Sequence, residues 1–304
     1  MIFTRQTLIG SVFFLMSLFV TTMGLAETVV PSADLAETVV PSADGVPIAY
    51  QVQGEGEPAL VFVHGWSCDQ IYWDAQVEYF AKHFTVVTLD LAGHGKSGLD
   101  RKQWSMEAFG ADVVSVVTQL DLKHVILIGH SLGGSVVIEA ARHIPERVIG
   151  VVGIDTLQNV ELKVDPERID QVLAPLQKDV AGFTKKIVHS MFPSTSDPAV
   201  VEKVLADMSS APPEVAVNTM RASIEFDLAQ ACEDVQAPVR CINSDKFPTD
   251  IEANRRHLQF FEVVFVPGAG HFFFLEDPQT FNDLYLGKIV EELTSLAAQE
   301  ENAE

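Results

Sequence analysis

Short runs of β-branched and other apolar residues alternate along this chain with longer stretches whose apolar positions recur at helical spacing. The short runs predict seven strands, at residues 48–52, 59–63, 85–89, 125–128, 148–154, 239–242 and 262–266. The longer stretches predict helices at residues 69–82, 106–120, 132–143, 249–258 and 280–298. Strands that alternate with helices are typical of a mostly parallel sheet flanked by helices. We therefore predict an α/β fold with its core at residues 45–156 and 227–298.

Residues 157–226 interrupt this alternation, because they contain amphipathic helical pieces and no convincing strand. A helical insertion of this kind lies over the carboxyl ends of the strands, where ligands bind in open α/β sheets. We predict a helical cap (lid) here, and an acidic tail at residues 299–304 in which the Ala- and Glu-rich end of the chain frays. Burial in the cap is the commoner role for its large apolar residues, but they are also candidates to line an acyl pocket: Phe183, Met191, Phe192, Met208, Met220 and Phe226.

The amino terminus has the layout of a secretory signal peptide. Arg5 precedes an apolar segment at residues 8–20, and Gly24-Leu25-Ala26 supplies small residues at a cleavage site. The apolar segment is shorter than the roughly 20 residues that a membrane span needs. We predict a signal peptide at residues 1–26 and a secreted or periplasmic protein without stable membrane association; an uncleaved anchor is the alternative.

An exact repeat follows, since the decapeptide at residues 25–34 recurs at residues 35–44. A tandem duplication is tolerated in a terminal linker, and we interpret residues 27–44 in this way. The repeat leaves two possible cleavage sites, after Ala26 and after Ala36.

Charge and cysteine content narrow the possible partners. The chain has 42 acidic and 20 basic residues and a formal net charge of −22, so nucleic acid and anionic membranes would be repelled. Its three cysteines are too few for a disulfide framework or a metal site, although a Cys232–Cys241 bridge is possible. No dinucleotide fingerprint occurs either, so we expect no metal and no cofactor. The sequence does not indicate an oligomeric state.

The strongest chemical signal is Gly129-His130-Ser131-Leu132-Gly133, placed between an apolar run and a helical stretch. A G-x-S-x-G on a strand–turn–helix is a nucleophile elbow, in which the sharp turn exposes the serine. The first amides of the helix, beginning with that of Leu132, stabilise negative charge beside it. The alternative is a plain glycine-rich turn with a capping serine.

An activated serine needs a base. His271 is the best candidate, because it ends a loop of small residues directly after the last predicted strand.

Four segments in order resemble the α/β-hydrolase family over residues 45–298: His64-Gly65-Trp66, the turn from Asp90 to Ser97, the elbow around Ser131, and Gly270-His271. The resemblance implies an eight-stranded sheet, a Ser–acid–His triad in that chain order and a cap between strands six and seven. A tight turn at Trp66 would place its amide beside that of Leu132 as the oxyanion hole. The Trp66 ring either walls the acyl pocket or packs over its own loop.

The triad acid departs from the family pattern, which places it in a G-x-x-D turn after strand seven. At the position where the family usually carries this aspartate, the present sequence has Phe247. A turn shorter by two residues makes Asp245 the acid, which we favour. Asp155, directly after the sixth predicted strand, is the alternative, although it could instead cap a helix of the cap.

These residues predict an exported serine hydrolase that cleaves carboxylic esters of small to medium acyl chains through an acyl-enzyme. The same constellation also fits C–C bond, lactone or amide hydrolysis and acyl transfer, and a ligand-binding relative with slow turnover belongs to a different class. Relatives with haloalkane dehalogenase or epoxide hydrolase activity carry an aspartate in the elbow, and here a serine occupies that position.

Overall fold

The computed structural model describes residues 38–302, which form one eight-stranded sheet surrounded by helices. The strands are β1 (Thr38–Pro41), β2 (Pro47–Gln53), β3 (Ala59–Val63), β4 (Val86–Leu89), β5 (Val125–His130), β6 (Val148–Ile154), β7 (Val239–Ser244) and β8 (Phe261–Val266). Their order in the sheet is β1-β2-β4-β3-β5-β6-β7-β8. Strand β2 runs antiparallel to both β1 and β4, and every other neighbouring pair is parallel. The predicted α/β fold is confirmed.

The central strands are continuous apolar runs because helices cover the sheet. Every residue of β3 and β5 is buried. The helices outside the cap are α1 (Asp74–Phe80), α2 (Met106–Gln119), α3 (Leu132–His143), α8 (Leu228–Glu233), α9 (Ile251–His257), α10 (Phe273–Glu276), α11 (Pro278–Phe281) and α12 (Gly287–Glu301). Helix α3 packs on β5, β6 and α2 and therefore begins at the centre of the sheet.

Residues 38–44 belong to the folded core, so the prediction that they form part of a linker is wrong. They contribute the edge strand β1, which pairs with β2. Beyond the strand, Ser42 Oγ donates to Asp112 Oδ1 at 2.6 Å, and the buried Arg101 donates to both Asp44 and Asp112. These partners lie far away in the sequence, where a short polar decapeptide gives no hint of them. Residues 1–37, with the predicted signal peptide and the first copy of the repeat, lie outside the described residues.

The predicted frayed tail is also wrong up to Glu301, where α12 ends. A π-helical turn at Asn282–Leu286 leads into this helix. Ile289, Val290 and Leu293 are buried, and Leu293 occupies the space that the absent side chain of Gly150 leaves on β6. Packing of this apolar stripe stabilises the helix.

Residues between β6 and β7 form the cap helices α4 (Ile169–Lys178), α5 (Val180–Met191), α6 (Pro198–Ser210) and α7 (Pro213–Glu225). Pro198 and Pro213 each begin a helix, a position at which the missing N–H costs nothing. The cap contacts two loops at the carboxyl ends of the strands. The Trp66 indole donates to Ala216 O at 2.8 Å, and the His271 backbone N–H donates to Met191 O at 2.8 Å.

All three cysteines are buried and free, so the possible Cys232–Cys241 bridge is not formed. Within residues 38–302, no helix combines the length and the apolar character that a membrane span requires.

Candidate active site

Ser131 lies on a strained turn between β5 and α3. Its φ of 55° and ψ of −120° place a non-glycine residue where L-amino acids are rarely found. The end of β6 holds this turn in place: Ser131 N donates to Ile154 O at 3.0 Å, and Thr156 Oγ1 donates to Ser131 O at 2.7 Å. The strain is therefore maintained by the neighbouring strand, as expected at a functional position.

The glycines of the elbow are required by close backbone contacts. A Cβ on Gly129 would lie 2.2 Å from Gly133 O, and one on Gly133 would lie 2.5 Å from Val63 O. Side chains here would push α3 away from the sheet, so the close approach of helix and strand depends on both glycines.

His271 contacts Asp155. The His271 Nδ1–H donates to Asp155 Oδ2 at 2.5 Å, and both side chains are buried. The other carboxylate oxygen, Asp155 Oδ1, accepts from Ser244 N at 2.8 Å and from Ser244 Oγ at 2.9 Å. Because Nδ1 is the donor, Nε2 of the neutral ring is an acceptor. The imidazole thus has the tautomer that a general base for a hydroxyl requires.

The structure places Asp155, the alternative acid, against His271, and Asp245, the favoured one, does not contact that ring. Asp245 is exposed, and its Oδ1 accepts from Gly268 N at 2.9 Å in the loop that leads to His271. Phe247 packs edge-on against the His271 ring, with centroids 6.2 Å apart. Phe247, from the loop after β7, packs against the His271 ring, and Ser244 at the end of β7 donates to Asp155. The carboxylate that contacts His271 is therefore that of Asp155, which follows β6.

Two backbone amides are available beside Ser131. A Cβ on Gly65 would lie 3.3 Å from Ser131 Cβ, so the loop at residues 64–66 lies against the serine. Within the described part of the chain, neither Trp66 N nor Leu132 N donates a hydrogen bond. Leu132 is the first residue of α3, whose initial N–H groups have no partner in the helix.

The Trp66 ring packs beneath the cap and does not line the cavity at Ser131. Its edge-on contact with Phe183 has a centroid distance of 6.4 Å, and its indole N–H is bonded to α7. Neither predicted role is therefore observed as stated, because the ring packs against the cap instead of lining the cavity or covering its own loop.

Three buried histidines, at the ends of β3 and β5 and in the turn after β4, are neutral. Burial lowers the pKa of His64 to about 4 and that of His94 to about 3. Burial also holds the pKa of His130 well below its usual range, and its Nε2–H donates to His271 O at 3.1 Å. His130 therefore supports the His271 backbone from within the elbow, a role that sequence reasoning missed, as it missed that of Ser244.

A cavity of about 660 Å³ lies between the cap and these residues, with Ser131, Asp155 and His271 among its lining. Among the cap residues predicted to line an acyl pocket, Met191 and Phe226 do so. Phe192 and Met208 are instead buried, and Phe183 and Met220 pack against the core. No group of three or more His, Cys, Asp or Glu side chains within residues 38–302 is arranged to hold a metal ion.

A sequence model of the alpha/beta hydrolase family matches residues 60–284. The chain is 25% identical over 248 residues to 3-oxoadipate enol-lactonase 2 of Acinetobacter baylyi, covering 78% of this chain and 91% of that one.

Solved structures share the fold. A thermophilic esterase from Thermogutta terrifontis superposes with a TM-score of 0.75 at 23% identity, covering 85% of this chain and 99% of that one. Est816, described as an N-acyl homoserine lactone degrading enzyme, superposes with a TM-score of 0.72 at 24% identity, covering 82% and 99%.

Proposed function

The chain belongs to the alpha/beta hydrolase family, and we propose that it is a serine hydrolase that cleaves carboxylic esters of small to medium acyl chains. Ser131, His271 and Asp155 form the proposed triad. One observation carries the proposal: His271 Nδ1 lies 2.5 Å from the buried Asp155 carboxylate, in the cavity that Ser131 also lines.

Acylation begins when Ser131 Oγ attacks the ester carbonyl while His271 Nε2 takes its proton. The imidazolium that forms is stabilised by Asp155, whose carboxylate holds Nδ1–H. Negative charge that develops on the carbonyl oxygen is stabilised by the N–H groups of Trp66 and Leu132. Neither N–H group has a hydrogen-bond acceptor among the described residues, which supports this role.

Collapse of the tetrahedral intermediate breaks the ester C–O bond, and His271 Nε2–H protonates the leaving alcohol. Water then attacks the acyl-enzyme, with His271 as base again, and the acid leaves while Ser131 recovers its proton. The cavity of about 660 Å³ lies in the usual range for sites that take small molecules, which supports short to medium acyl chains.

Lactone hydrolysis is the second candidate. It is favoured by the alignment with an enol-lactonase over 91% of that enzyme and by the shared fold with a lactone-degrading enzyme. A lactone is a cyclic ester, so the same steps apply, except that the leaving alcohol stays tethered to the acyl group.

A panel of p-nitrophenyl esters from acetate to octanoate, together with neutral lactones, tests this function, with Ser131→Ala as the matched control. We expect turnover of the shorter esters or of the lactones by the parent and none by the variant. A folded parent that hydrolyses nothing in the panel, or a variant as active as the parent, would contradict the proposal.

Export is a separate proposal, supported by the charged, apolar and small-residue segments at residues 1–26. Expression in a bacterial host followed by mass analysis of the periplasmic protein tests it. A mature amino terminus at Glu27 or Glu37 is expected, and full-length protein confined to the cytoplasm would refute it.

A further inference from the structure

The cavity at Ser131 contains almost no charge. Among the described residues that line it, Asp155 and His271 are the only ionisable groups besides the serine, and they are bonded to each other. Neither lysine nor arginine lines it. A substrate anion placed inside would therefore meet a carboxylate and find no cation.

Cations close to the lining in sequence are engaged elsewhere. Lys163 Nζ lies 2.7 Å from Asp227 Oδ2, and Arg221 donates to Asp170 at 2.5 Å and to Glu225 at 3.1 Å. Lys246 Nζ donates to the backbone carbonyl of Phe192 at 3.2 Å. The formal net charge of −22 further disfavours the approach of an anion.

Neutral polar groups, in contrast, are available. The side chains of Ser135, Gln158 and Ser223 line the cavity, and none of them has a hydrogen-bond partner among the described residues. Ser135 lies one helical turn after Ser131 on α3, on the same side of the helix. Hydroxyl and amide groups both donate and accept, so they suit an uncharged polar ligand.

We propose that this site takes uncharged esters and lactones whose remainder carries neutral hydrogen-bonding groups, and that it discriminates against substrates with a carboxylate near the scissile bond. The proposal rests on the proposed function, since it names the substrate class of the same site. A carboxylate that enters this cavity loses part of its hydration without gaining an ion pair, and such a charge is costly unless it is paired.

Matched pairs of p-nitrophenyl esters test the proposal: butanoate against hemisuccinate, and pentanoate against hemiglutarate. The members of each pair are similar in length and differ in one charge. We expect kcat/KM for the charged member to be lower by about 100-fold, which corresponds to about 2.8 kcal/mol at about 1.4 kcal/mol per factor of ten, because the charge loses hydration and gains no ion pair.

A charge added at the cavity provides the second arm. Leu162 lines the cavity and is 80% exposed, so a longer side chain is accommodated there. In Leu162→Arg the ratio of kcat/KM for hemisuccinate to that for butanoate is expected to rise about threefold to fivefold, the upper range for an exposed charge pair. Leu162→Gln is the neutral control, in which this ratio stays at the parental value.

The outcomes separate the two proposals. Equal kcat/KM for charged and neutral esters, with both activities lost in Ser131→Ala, would overturn the discrimination and leave the hydrolase function standing. A ratio that rises equally in Leu162→Arg and Leu162→Gln would show that charge is not its cause. If the folded parent hydrolyses neither ester, the hydrolase function fails and the substrate class fails with it.

Discussion

The replacement Asp155→Asn probes the role of the carboxylate through the tautomer of His271. In the parent, Asp155 Oδ1 accepts from Ser244 N and Ser244 Oγ, and Oδ2 accepts from His271 Nδ1. The Ser244 hydroxyl can reverse its direction, but the Ser244 backbone N–H can only donate. The Asn amide oxygen must therefore stay at Ser244, which turns the amide NH₂ towards His271.

Facing that donor, His271 Nδ1 becomes an acceptor, and the proton moves to Nε2. An Nε2–H imidazole cannot take the proton of Ser131. The expected loss in kcat is about 10⁴-fold, the size seen when the acid of such a triad becomes an amide, or about 5.5 kcal/mol of transition-state stabilisation. The fold should survive, because Asn has nearly the same shape as Asp and keeps the bonds from Ser244.

The assay is steady-state hydrolysis of p-nitrophenyl butanoate, with thermal unfolding as the check on folding. Asp245→Asn is the matched control, since its amide oxygen still accepts from Gly268 N and its side chain is exposed; kcat within about threefold of the parent is expected, as for surface substitutions in general. An Asp155→Asn enzyme within tenfold of the parent would refute the reasoning, and an inactive Asp245→Asn would return the acid to β7.

Four further variants test the residues that support the site and the fold around it. Ser244→Ala removes one of two donors to Asp155 Oδ1, and kcat should fall about tenfold in the same ester assay. Gly133→Ala places a Cβ 2.5 Å from Val63 O and should lower the free energy of unfolding in urea by at least about 2 kcal/mol. Gly268→Ala should lower the free energy of unfolding by only about 1 kcal/mol, because the added Cβ has no neighbour within 4 Å and only the φ of 69° is unfavourable. Burial lowers the pKa of His94 to about 3 in the folded protein. Between about pH 6.5 and pH 3 this histidine is protonated in the unfolded chain and neutral in the folded one, so the free energy of unfolding falls as the pH drops below about 6.5. In His94→Phe, the fall in the free energy of unfolding per pH unit, measured by urea unfolding at pH 7 and pH 5, should be smaller by up to about 1.4 kcal/mol. An unchanged fall would contradict the lowered pKa of His94.

Local sequence signals were sufficient for most of the fold. The predicted bounds of β3, β6 and α3 agree to the residue with the structure. Continuous apolar runs with polar or glycine boundaries specify buried parallel strands strongly, and the elbow marks both the end of β5 and the start of α3.

Features that depend on distant partners could not be predicted in this way. Strand β1 is stabilised by pairing with β2, and its continuation by the Arg101–Asp112 ion pair, which local composition does not reveal. The end of α12 depends on packing of Leu293 against Gly150. Tertiary contacts override local propensity in both cases.

The acid of the candidate site illustrates the same limit. Asp155 and Asp245 follow neighbouring strands, β6 and β7, so strand order alone allows either carboxylate to approach His271. The choice depends on which direction Ser244 and Phe247 face, and those orientations exist only in the folded chain. Ser131 and His271, the proposed nucleophile and base, carry local glycine-rich signals and could be singled out from the sequence as candidates.

Labelling of the purified protein with a fluorophosphonate probe is the most direct test of an activated Ser131. The account predicts rapid labelling of the parent at Ser131, identified by peptide mass analysis, and loss of labelling in both Ser131→Ala and His271→Ala at unchanged thermal stability. A folded parent that does not react, or labelling that persists in Ser131→Ala, would contradict the claim that this chain is a serine hydrolase.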